Sequence, residues 1–253
     1  MADRTILVIN ANTSASMTRE IDEAANKAAS RGTTIMTVPS KRGPRTILGP
    51  VDSALSIPGM LEAAKEHAGQ FQAIISACFG DPGLEALKWA FGVPVVGIRE
   101  SAFHIASFIG NQISVIIPVK GAEKRIRQFA RQTGLEDKLL SVVYAGVTVP
   151  ELEACSPGVE EHVYAAGKEA VDHGADVLIF GCAGMGGTLY KIAPRFEVPC
   201  IDPVQAAVRV AEGLLYFCDG ISFQGRPFQP HIAGYPELTN EGPGKRTEDP
   251  KSP

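Results

Sequence analysis

Residues 176–187, DVLIFGCAGMGG, decide the fold. An apolar run from Val177 to Phe180 ends in Gly181 and presents Cys182, followed by small residues. A short, unbroken apolar run is the pattern of a strand buried on both faces, as in a parallel sheet. Residues 71–83, FQAIISACFGDPG, say the same thing earlier in the chain, with the apolar run at 73–77 and Cys78 at its end. Two cysteines therefore stand at the carboxyl ends of two predicted central strands. In open α/β sheets that edge is where ligands bind.

The likeness extends beyond the two cysteines, which lie 104 residues apart. Val93-Pro94-Val95-Val96 matches Val198-Pro199-Cys200-Ile201 at an offset of 105, and the same offset pairs Ser101-Ala102 with Ala206-Ala207. Ile6–Asn10 resembles Ser114–Pro118 at an offset of 108. Three matches in order, at a nearly constant offset, argue for two similar α/β halves. The period is too long for a solenoid.

The local pattern fills in the elements. Strands are expected at 5–10, 33–38, 73–77 and 93–97, then at 113–118, 140–144, 177–180 and 198–201. Helices are expected at 16–29, 59–68, 83–90 and 100–109, then at 122–133, 158–173, 189–195 and 203–217. The proline-rich stretch 39–58 is read as a long loop and 151–156 as irregular. Alternating strands and helices give a mostly parallel sheet covered on both faces. The fold class is α/β, with two pseudosymmetric parallel-sheet lobes and a cleft between their carboxyl edges. The first lobe is assigned 1–99 plus 204–222, the second 100–203. The extension 223–253, rich in Pro, Gly and charge, is expected to be largely disordered.

Composition narrows the function. A net charge of -4 and the lack of a basic run argue against nucleic acid. No apolar stretch is long enough to span a bilayer, and the apolar core at Ile6–Ile9 is too short for a signal peptide. Five cysteines at irregular spacing form no disulfide framework, so reduced thiols in the cytoplasm are expected. The expected partner is a small-molecule substrate, with no membrane and no metal, and the chain is expected to be a homo-oligomer.

A free cysteine is most often a small buried hydrophobe, and Cys155, Cys200 and Cys218 are read that way. Cys78 and Cys182 differ because both occupy the ligand edge and both precede Gly-containing turns, whose backbone N–H groups favour a thiolate. Zinc would need further Cys or His at ligand spacing, and neither CFGDPG nor CAGMGG supplies any. A phosphate loop would need an arginine where Leu84 and Thr188 stand. None of the five histidines stands out as the partner of a papain-like nucleophile. GCAGMGGT has no lysine after it and NANTSA is no G-x-G-x-x-G, so nucleotide binding is a weak alternative. Two like acid/base groups facing one another suit two-base proton transfer at carbon. A small-molecule sensor on the same scaffold is the alternative from another class.

The motifs INANT (9–13), GPRTI (43–47) with Asp52 behind it, ACFGDPGLEALK (77–88), GIRESAFHIA (97–106), and GCAGM (181–185) followed by VPCIDPVQAAV (198–208) carry a resemblance. The chain resembles the hydantoin racemase family, including allantoin racemases, within the aspartate/glutamate racemase superfamily. Ala11 stands where that family often has Pro. The resemblance implies a cofactor-independent racemase with Cys78 and Cys182 as its acid/base pair, with a related isomerase or decarboxylase on the same scaffold as the alternative. Beside it, the chemistry is plausible on its own terms. A hydantoin C5 proton is α to a ring carbonyl, and its removal leaves a delocalised enolate. Backbone N–H groups at Phe79, Gly80, Ala183 and Gly184 are candidates to hold the enolate oxygen. Asn10 is a candidate for a ring amide or else a turn or N-cap residue, Ile47 for the C5-substituent pocket, and Glu100 and Ser101, which open a helix, for capping it or for further substrate contacts. Asp81 is read as shaping the turn with Pro82.

Overall fold

In the computed structural model, which describes residues 4–219, the strands form two parallel sheets of identical order. The first sheet holds β1 (Arg4–Asn10), β2 (Thr33–Pro39), β3 (Ala73–Ser76) and β4 (Val95–Gly97) in the order β2-β1-β3-β4. The second holds β5 (Ile113–Ile117), β6 (Leu139–Tyr144), β7 (Val177–Phe180) and β8 (Cys200–Ile201) in the order β6-β5-β7-β8. The repeat in the sequence is thus a repeat in topology, with β1 to β4 equivalent to β5 to β8. In each sheet the chain reverses direction of travel at the central pair, β1/β3 or β5/β7, and that switch point opens a crevice.

Side chains alternate across each sheet, as strand geometry requires. From β1, Ile6 and Val8 enter one apolar cluster while Leu7 and Ile9 enter another on the opposite face. From β7, Val177 and Ile179 join the same cluster as Ile6, whereas Leu178 and Phe180 face a third. The cluster shared by both sheets contains Ala102, Phe103 and Ala106 of α4 (Ile98–Ile109) and Val204, Ala207, Val208 and Ala211 of α9 (Pro203–Asp219). These helices pack on one another, and α4 also touches β7, so the inner faces of both sheets share one core. The outer face of the first sheet is covered by α2 (Pro50–Glu66) and α3 (Leu84–Ala90), that of the second by α7 (Val159–Asp172) and α8 (Gly186–Ile192).

Helix α1 (Ala15–Ala28) begins where Ser14 accepts a hydrogen bond from the Met17 N–H, an N-cap that satisfies a free first-turn donor. Two readings of the sequence need correction. The supposed loop 39–58 is only a loop as far as Gly49. Pro50 opens α2 at a position where its missing N–H costs nothing, and the Asp52 carboxylate accepts from the Leu48 and Gly49 amides at 3.0 Å. Residues 151–156 are not irregular throughout, because α6 (Val149–Glu153) is started by a reciprocal Thr148–Glu151 cap. The helix expected at 189–195 is α8 shifted towards its amino end, with a 3-10 turn Ala193–Arg195 after it at Pro194. The second-lobe helix expected at 122–133 is α5 (Glu123–Gln132). The extension 223–253 lies outside the described residues.

Candidate active site

The two cysteines are held in the same way. Ala77, just before Cys78, donates to Ile9 O at 2.9 Å, and Gly181, just before Cys182, donates to Ile116 O at 2.7 Å. Each cysteine is therefore the first residue to leave its sheet, two residues past the last residue of β3 or β7. Each then opens a tight turn: Asp81 N donates to Cys78 O at 2.8 Å, and Met185 N to Cys182 O at 3.2 Å. Inside the turns the Gly80 and Gly184 amides are directed at the sulfurs of Cys78 and Cys182. The side chains have little choice of direction, and both are only partly exposed.

They open onto a common cavity of about 130 Å³. From the first lobe its wall takes Asn10, Ile47, Ser53, Cys78, Phe79 and Gly80; from the second it takes Ile117 to Val119, Val149 and Gly181 to Ala183. Of the residues singled out from the sequence, Cys78, Cys182, Asn10, Ile47, Phe79, Gly80 and Ala183 are brought together here. Three are not on the wall. Gly184 packs under Met17, whose sulfur lies 2.7 Å from where a Cβ would be. Glu100 is turned away and paired with Lys88 at 2.9 Å. Ser101 is buried at 2% exposure, with no hydrogen bond to its hydroxyl. Asn10 is on the wall, but its amide is already occupied. It donates to Asn12 Oδ1 at 2.8 Å and Thr18 Oγ1 at 3.0 Å, and its oxygen accepts from Asn12 N at 3.2 Å.

Burial outweighs the turn amides at both thiols. Desolvation pushes Cys78 up to about 11 against the Gly80 amide, with the charge of Asp81 adding to the rise and Arg99 and Arg125 opposing it. It pushes Cys182 up to about 12 against the Gly184 amide, with Cys78, Glu20 and Glu153 adding to the rise. The expectation that glycine turns would favour a thiolate is therefore reversed in the ligand-free cavity. The surroundings are also unequal: Arg99 and Arg125 oppose Asp81 near Cys78, whereas only carboxylates and the other thiol bear on Cys182.

Two charged wall residues were not anticipated. Arg99 is two residues past the end of β4, the same step by which the cysteines leave their strands. That offset was a usable signal. Arg125 comes from the charged helix α5, where nothing in the pattern sets it apart from its neighbours. Asp81 has a role beyond the turn. At φ 47° its carboxylate accepts from the Arg99 and Glu100 amides at 3.1 and 2.9 Å and so caps α4. Gly97 has to be glycine there, because a Cβ would overlap that carboxylate.

Comparison with known proteins agrees with this geometry. Residues 6–211 match the Asp/Glu/Hydantoin racemase family model. A hydantoin racemase of Paenarthrobacter aurescens is 37% identical over 213 residues, covering 83% of this chain and 90% of that protein. The crystal structure of an allantoin racemase from Pseudomonas fluorescens is 32% identical with a TM-score of 0.81, covering 96% of this chain and 99% of that one. An allantoin racemase from Klebsiella pneumoniae gives the same identity and TM-score over 85% of this chain and 88% of its own. With two like lobes, a cysteine at the same step of each, and a family match along most of its length, the chain belongs to the Asp/Glu/Hydantoin racemase family.

Proposed function

We propose that the protein racemises 5-substituted hydantoins, allantoin among them, by cofactor-independent proton transfer between Cys78 and Cys182. The observation that carries this reading is the pair of thiols, each two residues beyond an equivalent strand and each opening on the same cavity. One sulfur, as thiolate, takes the C5 proton. The C–H bond breaks, its electron pair delocalises into the adjacent ring carbonyl as an enolate, and the opposite thiol gives its proton to the other face of C5. The product is the mirror image, and the two sulfurs have exchanged protonation states. The same pair then works in reverse on the other enantiomer.

A high thiol pKa suits this task. A thiolate that is hard to form is a strong base once formed, which weakly acidic C5–H requires. Repulsion between the two sulfurs favours one charge in the site, the state with one base and one acid. In this reading the turn amides of Phe79 and Ala183, two residues of the cavity wall, donate to the enolate oxygen. No group of three or more His, Cys, Asp or Glu suited to a metal occurs among the described residues. No helix among them is long and apolar enough to cross a membrane. This reading includes a cytoplasmic setting, which keeps both thiols reduced. It also includes a homo-oligomer, in which the exposed Val51 and Leu55, one turn apart on α2, would be covered.

The test is loss of optical rotation with a panel of single-enantiomer hydantoins and allantoin, each corrected for its spontaneous rate. Racemisation that survives a chelator and is abolished by thiol alkylation is the expected result. Tight binding without any exchange of the C5 proton would mark the protein as a sensor instead.

A further inference from the structure

Among the described residues the charged groups on the cavity wall are Arg99 and Arg125, and no carboxylate of theirs lines it. Arg99 is the deeper of the two, with its side chain 17% exposed. Its guanidinium stacks on the Phe129 ring at 4.3 Å. Arg125 lies one helical turn before Phe129 on α5, is exposed, and stands near enough for the two cations to repel. Asp81 does not use up the Arg99 donors. Its carboxylate accepts from two backbone amides of α4, and it comes no closer than 3.7 Å to Arg99 Nε. That Nε is buried with no hydrogen-bond partner. A buried, unsatisfied guanidinium donor is costly unless a ligand completes it. Asp81 is the ion-pair partner of Arg99 alone, so two guanidiniums facing one largely apolar cavity suit a further anionic group.

We infer that the preferred substrates carry a carboxylate on the C5 substituent, bound between Arg99 and Arg125 while the ring lies between the two cysteines. This inference rests on the racemase reading above and adds the substrate's charge to it. The ring itself needs no cation. Its enolate is served by turn amides, and the apolar residues Ile47, Val119 and Ile126 leave the guanidiniums as the wall's strongest donors.

The experiment compares 5-carboxymethylhydantoin with its neutral isostere, 5-carbamoylmethylhydantoin, each as a single enantiomer. Both kcat/KM values are divided by the enzyme-free rate of C5 exchange, because the side chain alters the proton's intrinsic acidity. The acid should exceed the amide by about tenfold to a hundredfold, the worth of a hydrogen bond to a charged group. That ratio should shrink with added salt. Arg99→Gln should move the ratio towards one. Arg125→Gln, at an exposed position, should do so without risk to folding. Equal rates for acid and amide in the native enzyme overturn the inference and leave the racemase reading standing. So does a loss of equal size with both substrates in the variants, which would assign the guanidiniums to the ring. If neither compound is racemised while other hydantoins of the panel are, the inference is overturned and the racemase reading stands; if nothing in the panel is racemised, both fall.

Discussion

Cys78 and Cys182 are chemically alike but not electrostatically alike. Near Cys78 the cations Arg99 and Arg125 offset burial, whereas near Cys182 the carboxylates Glu20 and Glu153 add to it. Both thiols stay protonated at neutral pH in the free enzyme, because a group that ionises near 11 is ionised at roughly one part in 10⁴ at pH 7. The pH profile of kcat/KM, which reports the free enzyme, should therefore climb from pH 7 past pH 9 with no plateau. A plateau near pH 7 would mean a base other than these thiols. Replacing either sulfur by oxygen separates the two faces. Cys78→Ser and Cys182→Ser should each cut racemisation by roughly 10²–10⁴-fold. Each should still exchange the C5 proton of one enantiomer in D₂O, and the two should prefer opposite enantiomers, as read by NMR. Exchange of the same enantiomer by both would show that the sulfurs do not face one another. Both cysteines were legible because a strand-ending pattern recurs in the sequence. Glu100 was ambiguous for a related reason: at the start of a helix a carboxylate serves either a ligand or the backbone, and only the packed structure shows Lys88 and the Gly97 amide beside it. Arg125 was invisible, since its place on the wall depends on how α5 lies against the other lobe.

At the scale of the element, α2 carries the clearest lesson. Four prolines between 39 and 58 suggested a loop, yet two of them, Pro50 and Pro58, belong to a helix. Pro50 is read correctly once Asp52 is seen as a cap, a local signal that was available. Pro58 is different, because an interior proline normally breaks or bends a helix. Here the helix continues, and Gly59 follows with no room for a side chain. A Cβ at Gly59 would press on Arg42 O and Ser40 Oγ, and Ser40 in turn donates to Arg42 O at 2.8 Å. The loop carrying Ile47 towards the cavity is thus laid directly on α2. Gly59→Ala gains helix propensity but overpacks this contact, and overpacking costs about 1–3 kcal/mol. Urea unfolding should show a loss of that order, and the loop's displacement should raise KM more than it lowers kcat. A variant as stable as the native protein would mean the loop can lift away from the helix freely. Such backbone-to-backbone contact has no trace in local sequence, whereas the central strands β1, β3, β5 and β7 do, because each buries a short, largely apolar run.

Across the whole molecule, the two lobes are joined by a shared core and by a polar strap at the cavity's edge. Glu153, at the end of α6 in the second lobe, accepts hydrogen bonds from Ser14 and from Ser16 at 2.7 Å, both at the start of α1 in the first. A carboxylate at a helix amino end is well placed. Burial raises the Glu153 carboxyl, but the bonds from both serines outweigh that and hold it low. Glu20, a turn further along α1, lies in the same junction with one oxygen buried and no hydrogen-bond partner. Burial first, then the charge of Glu153, raises it from 4.5 to about 7. A carboxyl raised in the folded state holds its proton when the unfolded chain has lost it, so stability falls as pH rises from 4.5 through 7 and levels off above. Glu20→Gln keeps the shape and removes the titration. Its melting temperature should match the native protein near pH 4 and exceed it increasingly up to pH 7, with the gain constant beyond. Removing a negative charge from the neighbourhood of Cys182 should also let that thiol ionise more readily, shifting the rising limb of the pH profile down. Differential scanning fluorimetry from pH 4 to 9 measures the first effect. A variant less stable by the same amount at every pH would refute it, because Glu20 would then be a satisfied acceptor holding the lobes together.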